Sequence, residues 1–172
     1  SIRHMGAPPL EGGITPRYLI MQFDLIKYQI EKGFDIQAAT LSREWLISCV
    51  MILLGIGEQW LDPEIRHMVS RTLTGAALIL LGKEAEDTPY TASFLKKENY
   101  PEMTRIWVRT SDLRNDLAHC GMNRRNESLK SLLSRTAAMP GDLLDFLRYT
   151  GIEGAEQNRS DSGESGLHFP DT

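Results

Sequence analysis

Arg114-Asn115-Asp116-Leu117-Ala118-His119 lies at the end of a predicted helix that opens at Pro101-Glu102 and stops at Gly121. Proline suits a first helical turn because its missing N–H has no partner there, and glycine suits the residue past the last turn. The same helix carries Arg105 and Arg109 upstream. The segment therefore puts a permanent cation and a titratable imidazole near one helix terminus.

Working outward, every neighbouring stretch also reads as helix. Toward the N-terminus, residues 83–100 are polar and contain Pro89, predicting a loop with a short helix over Thr91 to Glu98. Before it, Asp62-Pro63-Glu64 predicts a helix start, with the helix running to Leu81 and Gly82 after it. Asp35 predicts the cap of a long helix to Leu54, apolar at Ile36, Ala39, Leu41, Leu46, Val50, Leu53 and Leu54 and ended by Gly55 and Gly57. Thr15 and Pro16 open a first helix to Lys32, apolar at Leu19, Ile20, Phe23, Ile26 and Ile30. Toward the C-terminus, Glu127 to Arg135 reads as helix, Pro140-Gly141 is expected to break or kink it, and Asp142 to Tyr149 forms a last segment. No run alternates as a strand does, and no internal repeat is present. The expectation is an all-α bundle of about five to six helices over residues 15–150.

The 172 residues suffice for one domain with a sizeable core. Ser1-Ile2-Arg3-His4-Met5 reads as vector-encoded, and residues 1–14 as a flexible lead-in. From Gly151 onward there are five acids, one base and few apolar residues, the composition of a disordered acidic tail. That tail accounts for the net charge of −4; residues 1–150 balance at eighteen acids and eighteen bases. A neutral body argues against a broad nucleic-acid-coating surface but allows a small basic site. The apolar run Trp45 to Ile56 is too short to span a bilayer, and Ser48 and Gly55 interrupt it. Cys49 and Cys120 lack a secretory signal ahead of them, so reduced thiols in a cytoplasmic setting are expected. There is no second close Cys or His pair to complete a zinc site, and neither metal nor cofactor is expected.

The chemistry open to Arg114 and His119 is RNA cleavage without metal. RNA carries its own nucleophile in the 2′-OH beside the scissile phosphate. A histidine can move the protons, and a guanidinium can stabilise charge on the phosphorane-like transition state. Positions five apart on a helix are about 140° apart in projection. The pair therefore meets in one pocket only through the length of arginine and fraying at the helix end. Asn115 and His119 are four apart and share a face, so Asn115 is placed to orient the imidazole or to bond a ligand. A two-fold axis would supply two copies of each group across one cleft. Structural roles stand beside these: Arg114 has Asp116 and Glu102 as carboxylates on its own helix, and His119 sits where a C-cap falls.

The stretch Asp112-Leu113-Arg114-Asn115-Asp116-Leu117-Ala118-His119-Cys120-Gly121-Met122 closely resembles the motif of HEPN-domain ribonucleases. In particular it looks like the C-terminal HEPN domain of CRISPR-associated type III accessory ribonucleases. Leu41-Ser42-Arg43-Glu44-Trp45-Leu46 resembles that family's second core helix. The resemblance covers roughly residues 15–150 and is specific at the motif. It implies a HEPN-like bundle that dimerises through the motif helix, with catalytic Arg114 and His119 and with Asn115 beside them. It also implies a homodimeric, metal-independent endonuclease for single-stranded RNA in antiviral defence. An N-terminal CARF sensor domain, absent from this sequence, would switch the enzyme on with a cyclic oligoadenylate. Two alternatives stand beside this reading. One is a HEPN toxin of a toxin–antitoxin pair, and the other is a non-catalytic helical module for dimerisation or RNA binding.

Outside the motif, Arg43 and Glu44 read two ways. They line the catalytic cleft, with Glu44 holding Arg114 or Arg43 touching phosphate, or they form a structural ion pair between core helices. Arg124 and Arg125 follow the motif and either contact RNA or are solvated. Arg105 and Arg109 are expected on a solvent or dimer face. Trp45, Trp60 and Trp107 are expected as core or interface anchors, and His67 at the surface.

Overall fold

The computed structural model describes residues 12–119 and 128–152. Within them all regular structure is helical. Six α-helices follow in chain order: α1 (Pro16–Glu31), α2 (Asp35–Leu53), α3 (Pro63–Leu80), α4 (Thr91–Leu95), α5 (Tyr100–Ala118) and α6 (Leu129–Thr150), with one 3-10 turn at Gly57–Gln59. The all-α bundle expected from the sequence is therefore present.

Side-chain caps set three of the six helix starts. The Thr15 side chain accepts from the Tyr18 amide ahead of Pro16. Asp62 accepts from the amides of Glu64 and Ile65 ahead of Pro63. Ser128 accepts from Ser131 N at the start of α6. Each cap satisfies an amide that the first helical turn leaves without a partner. Helix α2 differs from expectation in one detail: Asp35 is its first helical residue, and the cap position belongs to Phe34, which makes no side-chain bond.

Pro140 does not divide the last helix. Helix α6 runs unbroken from Leu129 to Thr150 with Pro140 inside it. Its buried residues, Leu132, Thr136, Met139, Leu143, Phe146, Leu147 and Thr150, keep a three-four spacing straight through the proline. That continuous apolar stripe against the bundle outweighs the one hydrogen bond proline removes.

Helix α2 is the axis of the molecule, packing against α1, α3, α5 and α6. Its residues from Trp45 to Met51 are all buried. As a whole it is long and apolar enough to cross a membrane by length and composition, but more than half of it is buried inside this bundle. Leu46 and Val50 of α2, Leu19 and Ile26 of α1, Leu73 of α3 and Leu143 and Phe146 of α6 are fully buried. Such side chains contribute about 1.5–3 kcal/mol each when removed from water. Trp45 adds direction: its Nε1 donates to Leu19 O at 2.8 Å and so sets α1 against α2. Cys49 is a buried free thiol, and burial pushes its pKa well up.

Helices α5 and α6 are antiparallel and cross-linked along their length. Asn99 Nδ2 donates to Tyr149 O at 3.2 Å. Arg109 binds the Asp142 carboxylate with two donors, at 3.1 and 2.7 Å. Arg135 Nη1 donates to Asp116 Oδ2 at 2.7 Å. The partners ascend along one helix as they descend along the other. At the opposite end of the fold, the segment leading into α1 is pinned. Ile14 is buried and its amide donates to Gly57 O at 3.0 Å. A Cβ on Gly13 would lie 2.8 Å from the Gly57 backbone, so only glycine permits that approach.

Replacing Pro140 with Ala should stabilise the protein by about 1 kcal/mol or more, since it restores a helical N–H without disturbing the buried stripe. Urea unfolding monitored by circular dichroism measures this; a lower midpoint would show that the proline is itself part of the packing.

Candidate functional site

The two faces of α5 separate structure from surface. Met103, Ile106, Trp107, Thr110 and Leu113 are buried toward the core. Val108, Ser111, Asp112 and Asn115 follow at three- and four-residue spacing on another face, and all line one cleft. Arg114 lines it as well. Across from them, α3 contributes Thr74 and Ala77, and α2 contributes Arg43. The cleft has a volume of about 420 Å³.

Arg114 is exposed, and its Nη1 donates to Asn115 Oδ1 at 3.2 Å. It forms no ion pair among the described residues; neither Asp116 nor Glu102 takes it. Asp116 is 5 % exposed and bound to Arg135, while Glu102 holds Arg105 at 3.3 Å. The amide of Asn115 thus steadies Arg114 rather than the imidazole, which differs from the orienting role expected toward His119. His119 is exposed and caps α5, its backbone N–H donating to Asn115 O at 3.0 Å. It does not line the cleft, but it is the next position on the face of Ser111 and Asn115. The structure therefore brings Arg114 and Asn115 into one cleft and leaves His119 at its end.

Arg43 is also on this cleft, and Glu44 is not. The expectation that Glu44 holds Arg114 is corrected by its actual partner. Arg66 of α3 binds Glu44 Oε2 through Nε at 3.2 Å and Nη2 at 2.7 Å. It also donates to Glu44 O, Ser48 Oγ and Trp60 O at 2.9, 3.1 and 3.0 Å. Glu44 is therefore the structural half of the pair, clamping α2 to α3. Sequence reasoning missed Arg66, although its place one turn after the Asp62 cap puts it on a helix beginning beside α2.

Arg43 is held on three sides. Its Nη2 donates to Ser70 Oγ at 2.8 Å. Its guanidinium lies over the Trp107 ring, 4.7 Å from the centroid. Its Nη1 is 3.7 Å from Glu44 Oε1. Burial lowers its pKa; Glu44 opposes that, and the charge of Arg114 adds to it. It remains charged throughout the physiological range. Trp107 is a core anchor as expected, with Nε1 donating to Thr74 Oγ1 at 3.3 Å, but its ring also serves as the platform for Arg43.

Among the described residues, Arg105 and Arg109 do not extend a basic stripe. Arg105 is exposed and pairs along its own helix, and Arg109 is tied to α6. Arg124, Arg125, Cys120 and Gly121 lie outside the described residues. No group of three or more His, Cys, Asp or Glu among the described residues could hold a metal ion. No protein-family model matches the chain, and no curated protein or solved structure matches it.

Substituting Arg66 by Ala should cost about 2 kcal/mol, because it removes donors from a part-buried carboxylate and two carbonyls together. Glu44→Gln, which keeps shape and one acceptor, should cost about half of that. Guanidinium-induced unfolding measures both, and equal losses would mean that charge rather than bonding count sets the clamp.

Proposed function

We propose that this chain is a HEPN-type, metal-independent endoribonuclease domain acting on single-stranded RNA. The observation that carries the reading is the α5 face on which Ser111 and Asn115 line a cleft with Arg114 and the same stripe continues into His119. The motif resemblance over residues 112–122 and the all-helical bundle support it.

In the proposed reaction, a histidine takes the proton from the 2′-OH as its oxygen attacks the adjacent phosphorus. The new O2′–P bond forms, the P–O5′ bond breaks, and a second proton passes to the leaving 5′-oxygen. Arg114 faces the charge that builds on the non-bridging oxygens. The products are a 2′,3′-cyclic phosphate and a 5′-OH. DNA lacks the nucleophile and is not cut. One chain brings one His119, so acid and base come from two copies in a homodimer. An apolar groove beside the end of α5, lined by Ile36, Leu117, Leu129 and Leu132, supports such contact; Leu129 is 70 % exposed. We place the domain in a cytoplasmic CRISPR-associated defence protein whose CARF sensor domain binds a cyclic oligoadenylate.

A second reading is a helical RNA-binding or dimerisation module without catalysis. It is favoured by one observation: the imidazole of His119 is not on the cleft that holds the two guanidiniums.

Cleavage of a fluorescent single-stranded RNA in EDTA, beside a matched DNA, tests the proposal. Wild type should cut RNA only, and His119→Ala or Arg114→Ala should each lose about 10²–10⁴-fold in rate with the helical spectrum unchanged. Full activity in both variants would sink the assignment. Tight RNA binding without cutting would favour the second reading.

A further inference from the structure

The cleft holds more positive charge than the α5 motif supplies. Arg114 arrives from α5 and Arg43 from α2, against the single carboxylate of Asp112 on the same lining. Arg43 is fixed by Ser70, Trp107 and Glu44 before any ligand arrives. Its nearest carboxylate is already engaged, since Glu44 Oε2 is bound by Arg66 at 2.7 Å. The cleft lining also includes Ser111, whose Oγ is buried with no hydrogen-bond partner. A buried hydroxyl left without a partner, on a lining that also carries two guanidiniums, is a group that an oxygen-rich ligand would satisfy.

We propose that this cleft is a phosphodiester subsite in which Arg43 and Arg114 together grip one backbone phosphate of single-stranded RNA, with Asn115 and Ser111 as further hydrogen-bonding groups. Arg43 is then a substrate-binding residue contributed by α2. The choice of RNA rests on the proposed function; the anion-binding character rests on the cleft alone.

The geometry favours phosphate backbone over base. Guanidinium forks match phosphate oxygens with two donors at once. The Trp107 face is occupied by Arg43, so it offers no stacking platform for a base. Two fixed cations repel a divalent metal. Recognition here is therefore tolerant of sequence and sensitive to salt.

The test is binding, separate from cleavage. A fluorescent 2′-O-methyl RNA ten-mer, which lacks the nucleophile, is titrated into the full chain at several salt concentrations. Arg43→Gln should weaken binding about tenfold and reduce the slope of log K against log salt by about 0.7, the value for one phosphate contact on a single strand. Arg43→Lys should keep the slope but recover only part of the affinity, because the charge remains and the fork does not. Arg105→Gln, at an exposed position paired with Glu102, should change neither. Should Arg43→Gln fail to fold, Ala77→Glu decides, since it puts a carboxylate on the same lining and should weaken binding as strongly.

A folded Arg43→Gln with wild-type affinity and slope overturns the proposal. So does an Ala77→Glu variant that binds normally, or a wild-type chain that does not bind the ten-mer. Arg43-dependent binding in a protein that never cuts RNA would remove the ribonuclease reading and leave this one standing.

Discussion

Helix α2 packs against four others, and the arginine and glutamate at its middle are only part-exposed, which limits the water available to solvate their charge. That constraint organises much of the molecule. The Glu44 carboxylate lies where α2 meets α3, and Arg66 meets it with two direct donors. The remaining donors of Arg66 take backbone and hydroxyl oxygens, so the clamp satisfies several groups at once. Partial burial makes such a clamp sensitive to loss of either partner, while its net contribution over an apolar contact is small. Its larger effect is on register: α3 can slide along α2 only by breaking it.

Arg43 emerges next to that clamp and becomes one wall of the cleft. Its neighbours come from three helices, namely Glu44 on α2, Ser70 on α3 and Trp107 on α5. The clamp and the cleft are thus two ends of one polar arrangement, in which Glu44 touches Arg66 on one side and Arg43 on the other. A guanidinium held this way has little freedom left to lose on binding, and that favours affinity for a ligand of matching shape.

Helix α5 divides its labour within a single six-residue stretch. Arg114, Asn115 and His119 are exposed, whereas Asp116 is buried and joined to Arg135 on α6. Asp116 therefore anchors the very turn that presents the polar residues. The further ties through Asn99 and Arg109 hold the rest of α5 to α6. These polar side chains sit on a helix tied to its neighbour through Asp116, and the cleft shares that anchoring.

Much of this was legible in the sequence because helix starts and stops are local events. Thr15-Pro16, Asp62-Pro63 and Gly82 mark boundaries through cap bonds and backbone freedom that involve only neighbouring residues. Two polar residues of α5 were legible for the same reason, since four-residue spacing alone puts Asn115 and His119 on one face; Ser111, one turn earlier, is brought into view only by the cleft it lines. What the sequence could not decide was which partner each charge would take. Glu44 had Arg43 beside it and Arg114 as a distant candidate, yet its shortest ion pair is to Arg66, because only helix packing sets the distance across α2 and α3. Pro140 looked like a break, yet α6 continues, because its cost is local while the stripe that outweighs it is buried against other helices. Local backbone chemistry is written residue by residue and can be read from the chain. Ion pairs, the cleft shared by Arg43 and Arg114, and tolerance of a helical proline depend on where other helices lie, and only the tertiary structure decides them.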